Sequence, residues 1–336
     1  MIRIEFNKGG YDSQIDYIKG LCILFVIWTH CMYREELSVI LFPYWGDTAV
    51  PIFLLIQVFH YYKKGVSIKM PSSIKLWKRI IQPFIIMVAM MFLAQFFIYY
   101  DTTGGVFSPS LYWDKRGPGS YYIFIYLELA FVIPLFAPLF KNLSTKWLLF
   151  FFVILSQLVE LIFSVTQCPD NIYRITFFRY TFLIFIGFLL ATKGLELNNL
   201  TIAGGIISMV FLFLFVYTEI DMEPIFCTHL SLWPLCHWVC YIYIAYFFLA
   251  FLKYTYKIIS NCSTITNYIK KIGRFSYEIY LFQIFYYATL SIYVGKSLAF
   301  IGNYPIQRIL YVLISTVICV IPVVYLKNMR KNQSPK

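Results

Sequence analysis

Ile80-Ile81-Gln82-Pro83-Phe84-Ile85-Ile86-Met87-Val88-Ala89-Met90-Met91-Phe92-Leu93-Ala94-Gln95-Phe96-Phe97-Ile98-Tyr99-Tyr100 runs for 21 residues without a charged side chain. Wound as an α-helix at about 1.5 Å per residue, it spans roughly 30 Å, the thickness of a bilayer's hydrocarbon core. Comparable apolar stretches recur near residues 15–33, 47–62, 120–140, 147–165, 175–192, 200–217, 231–252, 275–294 and 307–326, so ten membrane helices are predicted. Pro51, Pro83, Pro134, Pro138, Pro234 and Pro322 fall within or at the ends of these stretches, which membrane helices tolerate where neighbours re-satisfy the backbone. The composition agrees: of 336 residues, 60% are apolar and 13% charged, against about a quarter charged in soluble domains. The expected fold is all-α, a polytopic transmembrane bundle of about ten helices forming one membrane domain over residues 1–336. No loop exceeds about 25 residues, so no appended soluble domain is expected. No short apolar region ends in a cleavable small-residue site near the start, so the first helix is expected to stay as a signal anchor.

A net charge of +12 on a soluble protein would point to nucleic acid. On a membrane protein Lys and Arg instead mark cytoplasmic loops, and no nucleic-acid partner is expected. With the N-terminus inside, 21 of the 28 basic residues fall in cytoplasmic segments. Only Arg34, Lys115, Arg116, Arg174, Arg179, Lys296 and Arg308 fall outside. Glu35-Glu36 and Glu219-x-Asp221-x-Glu223 lie on the outer side. Both termini are therefore expected to be cytoplasmic, in agreement with an even number of spans. The Ile-, Lys-, Phe- and Tyr-rich composition suggests an AT-rich bacterial genome, and a multi-pass helical protein is expected in the inner (cytoplasmic) membrane.

Cys22, Cys236, Cys240 and Cys319 lie inside apolar runs and read as small hydrophobes. No C-x-x-C pair exists, so no metal site is expected. Cys168 and Cys227 fall in expected outer loops, where they are able to pair.

Ionisable groups at membrane depth are costly, so each is a functional candidate. Lys19 and His30 share the first helix. At 100° per residue, eleven positions bring the two to nearly one face, roughly 16 Å apart along the axis. Lys19 then sits near the cytoplasmic rim, where it anchors the helix or binds a ligand, and His30 lies in the outer half. Glu128, Glu160, Arg179 and His237 fall at a depth like that of His30, roughly 6–12 Å below the outer face. Asp47 begins the second helix at the outer rim. With Asp47 they form an expected polar layer at the level of His30, in which Glu128 is the candidate partner of His30. Asp47 also reads as a plain N-cap, and Arg179 as an interface anchor. On the cytoplasmic side, Lys63, Lys64, Lys69, Lys75, Lys78 and Arg79 crowd one loop. That loop suits anionic lipid headgroups or a phosphorylated cytosolic donor, with Lys78 and Arg79 best placed at the mouth of the third helix.

These residues resemble acyltransferase family 3, the ten-helix membrane O-acyltransferases. Lys19-x10-His30 matches the family's basic-x10-His signature, after the lead-in Ile15-Asp16-Tyr17-Ile18. Ala49-Val50-Pro51-Ile52-Phe53-Leu54 is similar to its V-P-x-F-F stretch, and Lys78-Arg79-Ile80-Ile81-Gln82-Pro83-Phe84 to its basic-then-Pro opening. Ile272-Gly273-Arg274-Phe275-Ser276-Tyr277-Glu278-Ile279-Tyr280-Leu281 resembles its G-x-x-S-x-x-I-Y-L element. Two positions depart from the pattern. Ile56-Gln57 or Gln57-Val58 replaces the usual Ser-Gly, and Gln283 stands where many members carry His, which argues against catalysis from that position.

The resemblance implies acyl transfer, commonly from cytosolic acetyl-CoA as co-substrate, to a hydroxyl of an extracytoplasmic glycan or its lipid-linked precursor. No tightly bound cofactor is implied. His30 is then the base, or the site of an acyl-histidine intermediate; an alcohol needs such help at neutral pH. Glu128 would orient it, and Lys19, Lys78 and Arg79 would bind the donor. The alternatives are a glycan or lipid-precursor flippase, for which internal repeats are expected, and a polysaccharide polymerase, for which a large Arg-bearing outer loop is expected. Neither feature is evident.

Overall fold

The computed structural model describes residues 2–32, 34–66, 70–99, 119–218, 220–230 and 237–333. Lys69, Cys236, most of the expected outer loop 101–119 and its Lys115 and Arg116 lie outside the described residues.

Helix α1 spans Ser13–Thr29, and the Asp12 carboxylate caps its start by accepting from the Gln14 N–H. It ends earlier than expected. The Tyr287 hydroxyl donates to the Ile27 carbonyl at 2.9 Å, occupying the acceptor that a further helical turn would use. The chain tightens there, with the His30 N–H turned to the Ile27 carbonyl and the Cys31 N–H to that of Trp28. His30 is therefore a helix-terminal residue rather than one inside a helix.

The chain continues through α2 (Ala49–Tyr62) and α3 (Gln82–Tyr99), the latter preceded by Ser73–Leu76 and a wide π-turn, Trp77–Ile81. Next come α4 (Tyr122–Leu135), α5 (Thr145–Val165), α6 (Thr181–Thr192) and α7 (Asn199–Tyr217). The last helices are α8 (Leu249–Ile259, after a second π-turn), α9 (Ser263–Arg274), α10 (Ser276–Thr289) and α11 (Tyr304–Gln333). Among the described residues six helices are long and apolar enough to cross a membrane: Phe42–Tyr62, Ser73–Ile98, Thr145–Val165, Asn199–Tyr217, Cys240–Ile259 and Tyr304–Lys327. Several turn apolar residues outward, among them Ile85, Leu93 and Phe97 of α3 and Ile309 and Leu313 of α11. Such a surface suits lipid rather than water. The chain is a multi-pass membrane protein.

Two packed bodies meet along α1. Ile15, Tyr17, Ile18 and Cys22 belong to a core shared with α2, α4, α6 and α8, whereas Ile23, Ile27 and Cys31 belong to one shared with α3, α10 and α11. Helix α9, read from sequence as loop, packs against α1 backbone to backbone. A Cβ on Gly273 would fall 1.6 Å from the Asp16 carbonyl oxygen, and one on Gly20 would fall 2.2 Å from that of Ile269. An antiparallel ribbon, β1 (Ile2–Ile4) with β2 (Leu195–Leu197), was likewise not expected; it ties the N-terminal segment to the turn after α6.

Candidate functional site

The seam beside α1 is open. A cavity of about 290 Å³ runs along it, bounded by Lys19, Ile23, Val26 and His30 of the first segment and by Val50, Phe53, Gln57 and His60 of α2. Tyr121, Tyr122 and Tyr126 close it on the α4 side, and Ser276, Tyr277 and Tyr280 on the α10 side. Lys19 and His30 thus border one space along the length of α1. Lys19 is held by the Asp16 carboxylate at 3.0 Å. That carboxylate also accepts from the Tyr11 hydroxyl at 2.7 Å and lies 3.8 Å from the Arg274 Nε. The lead-in before Lys19 and the element ending at Arg274 therefore meet at one carboxylate.

His30 stands at the other end of the cavity. Among the described residues no side chain or backbone group hydrogen-bonds its ring, and its ring packs edge-on to Tyr287 at 5.7 Å between centroids. Gly119, at φ +84°, passes directly over it: a Cβ there would sit 3.5 Å from His30 Nε2 and 3.6 Å from Gln283 Nε2. The Tyr280 hydroxyl donates to the Gly119 carbonyl at 2.7 Å and fixes that turn. His30 also borders a second, more polar recess of about 560 Å³, lined by Lys296, Tyr304, Gln307, Arg308 and Tyr311. In that recess Arg308 bonds the Glu36 carboxylate at 3.1 Å.

Glu128 and His237 of the expected polar layer have partners other than His30. Glu128 accepts from the Phe177 N–H at 2.7 Å instead of meeting the imidazole. Helical phase explains this: Tyr122 and Tyr126 are one turn apart and face the cavity, and Glu128 lies 200° further round from Tyr126. Arg179 is buried, with its guanidinium 4.6 Å from the Tyr180 ring, 5.3 Å from Tyr173 and 5.5 Å from the cavity-lining Tyr121. His237 is buried against Glu160, its Nδ1 lying 3.1 Å from both carboxylate oxygens. Asp47 precedes α2 without capping it; the N-cap residue is Thr48, and no side chain caps the helix. Lys78 and Arg79 are exposed in the π-turn before α3, with Arg79 near enough to the Tyr126 hydroxyl for its charge to act on it.

The sequence reading gave no cavity role to His60 or Gln57, nor to the tyrosines Tyr121, Tyr122 and Tyr126. His60 ends α2 at the same mouth as Lys19 and carried no motif. Gln57 donates through Nε2 to the Tyr126 carbonyl at 2.9 Å, while its Oε1 is buried without a hydrogen-bond partner among the described residues. Its signal was the departure from the Ser-Gly pattern.

A polytopic helical membrane protein with a His at the junction of two recesses is the class that this fold and site define. A family model described as acyltransferase domain matches residues 12–324, and the chain belongs to acyltransferase family 3; it is an acyltransferase. No match was found among curated proteins or solved structures.

Proposed function

We propose that the protein is an O-acyltransferase of the bacterial inner membrane. It moves an acyl group, in the first instance acetyl, from cytosolic acyl-CoA to a hydroxyl of a surface glycan or its lipid-linked precursor. The observation that carries this reading is the position of His30, which borders both the tyrosine-lined cavity reaching Lys19 and the polar recess beneath Arg308. A base so placed is reached by a thioester arm from one side and by a hydroxyl from the other.

The orientation has support from packing. Arg3 bonds the Lys193 carbonyl, Lys253 the Glu5 carbonyl, Lys8 the Thr192 carbonyl at 2.7 Å and Lys63 the Gly10 carbonyl at 3.4 Å. These segments, all assigned to the cytoplasmic side by charge, gather at one end. This favours ten spans with both termini inside.

In this reading His30 takes the hydroxyl proton as the oxygen attacks the thioester carbonyl and gives it to the CoA thiolate that leaves as the C–S bond breaks, or first accepts the acyl group itself as that thiolate leaves, before passing it to the hydroxyl. The imidazole has a free nitrogen lone pair for either step. The Gln283 amide Nε2 and the imidazole Nε2 lie under the same turn at Gly119. Lys19, Lys78, Arg79 and His60 supply positive or hydrogen-bonding groups for the phosphates of the donor at the inner mouth. Gln57 Oε1 accepts from an amide N–H of the donor's arm.

The test is acyl transfer in reconstituted vesicles, with acyl-CoA on the cytoplasmic face and the glycan on the other. His30→Ala protein that inserts normally should transfer about 10²–10⁴-fold more slowly, the usual contribution of a positioned acid–base group. Transfer at the unmodified rate removes His30 from the mechanism. Glycan movement across the vesicle without acylation would instead support the flippase.

A further inference from the structure

We propose that the polar recess at His30 binds an anionic group of the acceptor, a carboxylate or phosphate held by Lys296 and Arg308 while a neighbouring hydroxyl reaches the imidazole. This rests on acyl transfer at His30, and it narrows the acceptor to acidic glycans and phosphate-bearing precursors.

The recess, about 560 Å³, has the size of a ligand pocket. Its wall carries His30, Lys296 and Arg308, and no Asp or Glu among the described residues that line it. Two cations on one concave surface attract anions. Topology gives independent support. Outer loops of membrane proteins are normally poor in Lys and Arg, yet Lys296 and Arg308 are two of the seven basic residues assigned there. Neither anchors a cytoplasmic loop, so these charges call for another partner.

Arg308 is built into the wall. The spacing of Tyr304, Gln307, Arg308 and Tyr311 puts all four on one face at the start of α11. The guanidinium carbon lies 5.3 Å from the Tyr304 ring centroid and 6.0 Å from that of Tyr311. Its Nε donates to Glu36 Oε1 at 3.1 Å, Nη1 to the Cys31 carbonyl at 3.3 Å and Nη2 to the Tyr304 hydroxyl at 2.8 Å. Glu36 fixes the direction of the fork but does not itself line the recess. The Cys31 bond ties the cation to the residue next to His30, so guanidinium and imidazole keep their spacing. A guanidinium held in this way loses little freedom on binding, and its planar fork suits a carboxylate or a phosphate. Glu36 offsets part of the Arg308 charge, and Lys296, exposed on the helix Ser291–Leu298, restores the surplus.

The test is calorimetric binding to the purified full chain without acyl-CoA. The probes are a glucuronic acid tetramer, the same tetramer with its carboxyls reduced to give glucose, and inorganic pyrophosphate. Glucuronate that binds at least about tenfold tighter than its carboxyl-reduced form, and less tightly as salt is added, identifies a sugar carboxylate as the anion. Pyrophosphate that binds where glucuronate does not identifies the phosphate of a lipid-linked precursor. For whichever anion binds, Lys296→Gln should weaken it about two- to fivefold, the range of an exposed ion pair. Arg308→Gln should weaken it at least about tenfold. Dependence on these two residues separates the recess from the basic donor mouth around Lys19. Where Arg308→Gln protein fails to fold, Lys296→Gln and the comparison of the two tetramers still decide. The proposal is overturned if neither anion binds up to the millimolar range, or if the carboxyl-reduced tetramer binds as tightly as glucuronate. Anion binding that both variants leave unchanged overturns it as well. His30-dependent transfer in a protein that binds no anion sinks this proposal alone, whereas anion binding in a protein whose transfer ignores His30 sinks only the role of His30.

Discussion

At His30 the tyrosine-lined cavity and the polar recess share one imidazole, and the residues lining the cavity have separable roles. Lys19→Ala should raise the KM for acyl-CoA about ten- to hundredfold, since a hydrogen bond to a charged group contributes roughly 1.5–3 kcal/mol. Folding should survive, because Asp16 keeps its contacts to Tyr11 and Arg274. Gln57→Leu removes the Oε1 acceptor, which has no partner among the described residues, and also breaks the Nε2 bond to the Tyr126 carbonyl. It should raise the KM for acyl-CoA by about tenfold, near the net value of one or two neutral hydrogen bonds, with kcat little changed. Steady-state kinetics in vesicles separate the two: unchanged KM in Gln57→Leu protein would leave that amide with a packing role alone. The Lys19–His30 relation was legible beforehand because both lie on one helical run whose 3.6-residue period fixes their relative direction. Glu128 was not, since its direction depends on how α4 is rotated against α1.

Between elements, the contact of α1 with α9 rests on two glycines that let the backbones touch. Gly273→Ala places a methyl into the Asp16 carbonyl and should cost about 1–3 kcal/mol, the usual range for overpacking, read as a lower melting temperature of the purified protein. Gly295→Ala meets nothing within 4 Å and should lie within the error of the unmodified chain. The same junction has a pH signature. Partial desolvation of its hydroxyl raises Tyr11, an otherwise exposed residue, above its ordinary value near 10, and the Asp16 carboxylate adds to this against the lowering by Arg274. A raised acid adds stability that is whole below its unfolded value and fades as pH climbs through the folded one. Protease cleavage within residues 1–12 should therefore rise above pH 10 in the unmodified chain and respond less to pH in Tyr11→Phe protein.

For the whole molecule, the charge distribution and the gathering of Arg3, Lys8, Lys63 and Lys253 at one end make a single topology prediction. Single cysteines introduced at Lys64 or Lys75 should be protected from an impermeant reagent applied outside, and one at Lys296 should be labelled. Labelling at Lys64 from outside would invert the orientation.

Hydropathy, a local property, determined the membrane class of this protein. The spacing from Lys19 to His30, with three further motifs in order along the chain, determined the family. What only the tertiary structure decided depends on contacts between segments far apart in sequence. The Tyr287 hydroxyl ends α1 at His30, Gly273 seats against Asp16, and Glu128 turns to Phe177 instead of the imidazole. The placing of Arg308 beside His30 has the same origin, since no helical or strand period relates segments so far apart. Its guanidinium is aimed by Glu36 and the Cys31 carbonyl, 272 and 277 positions earlier in the chain.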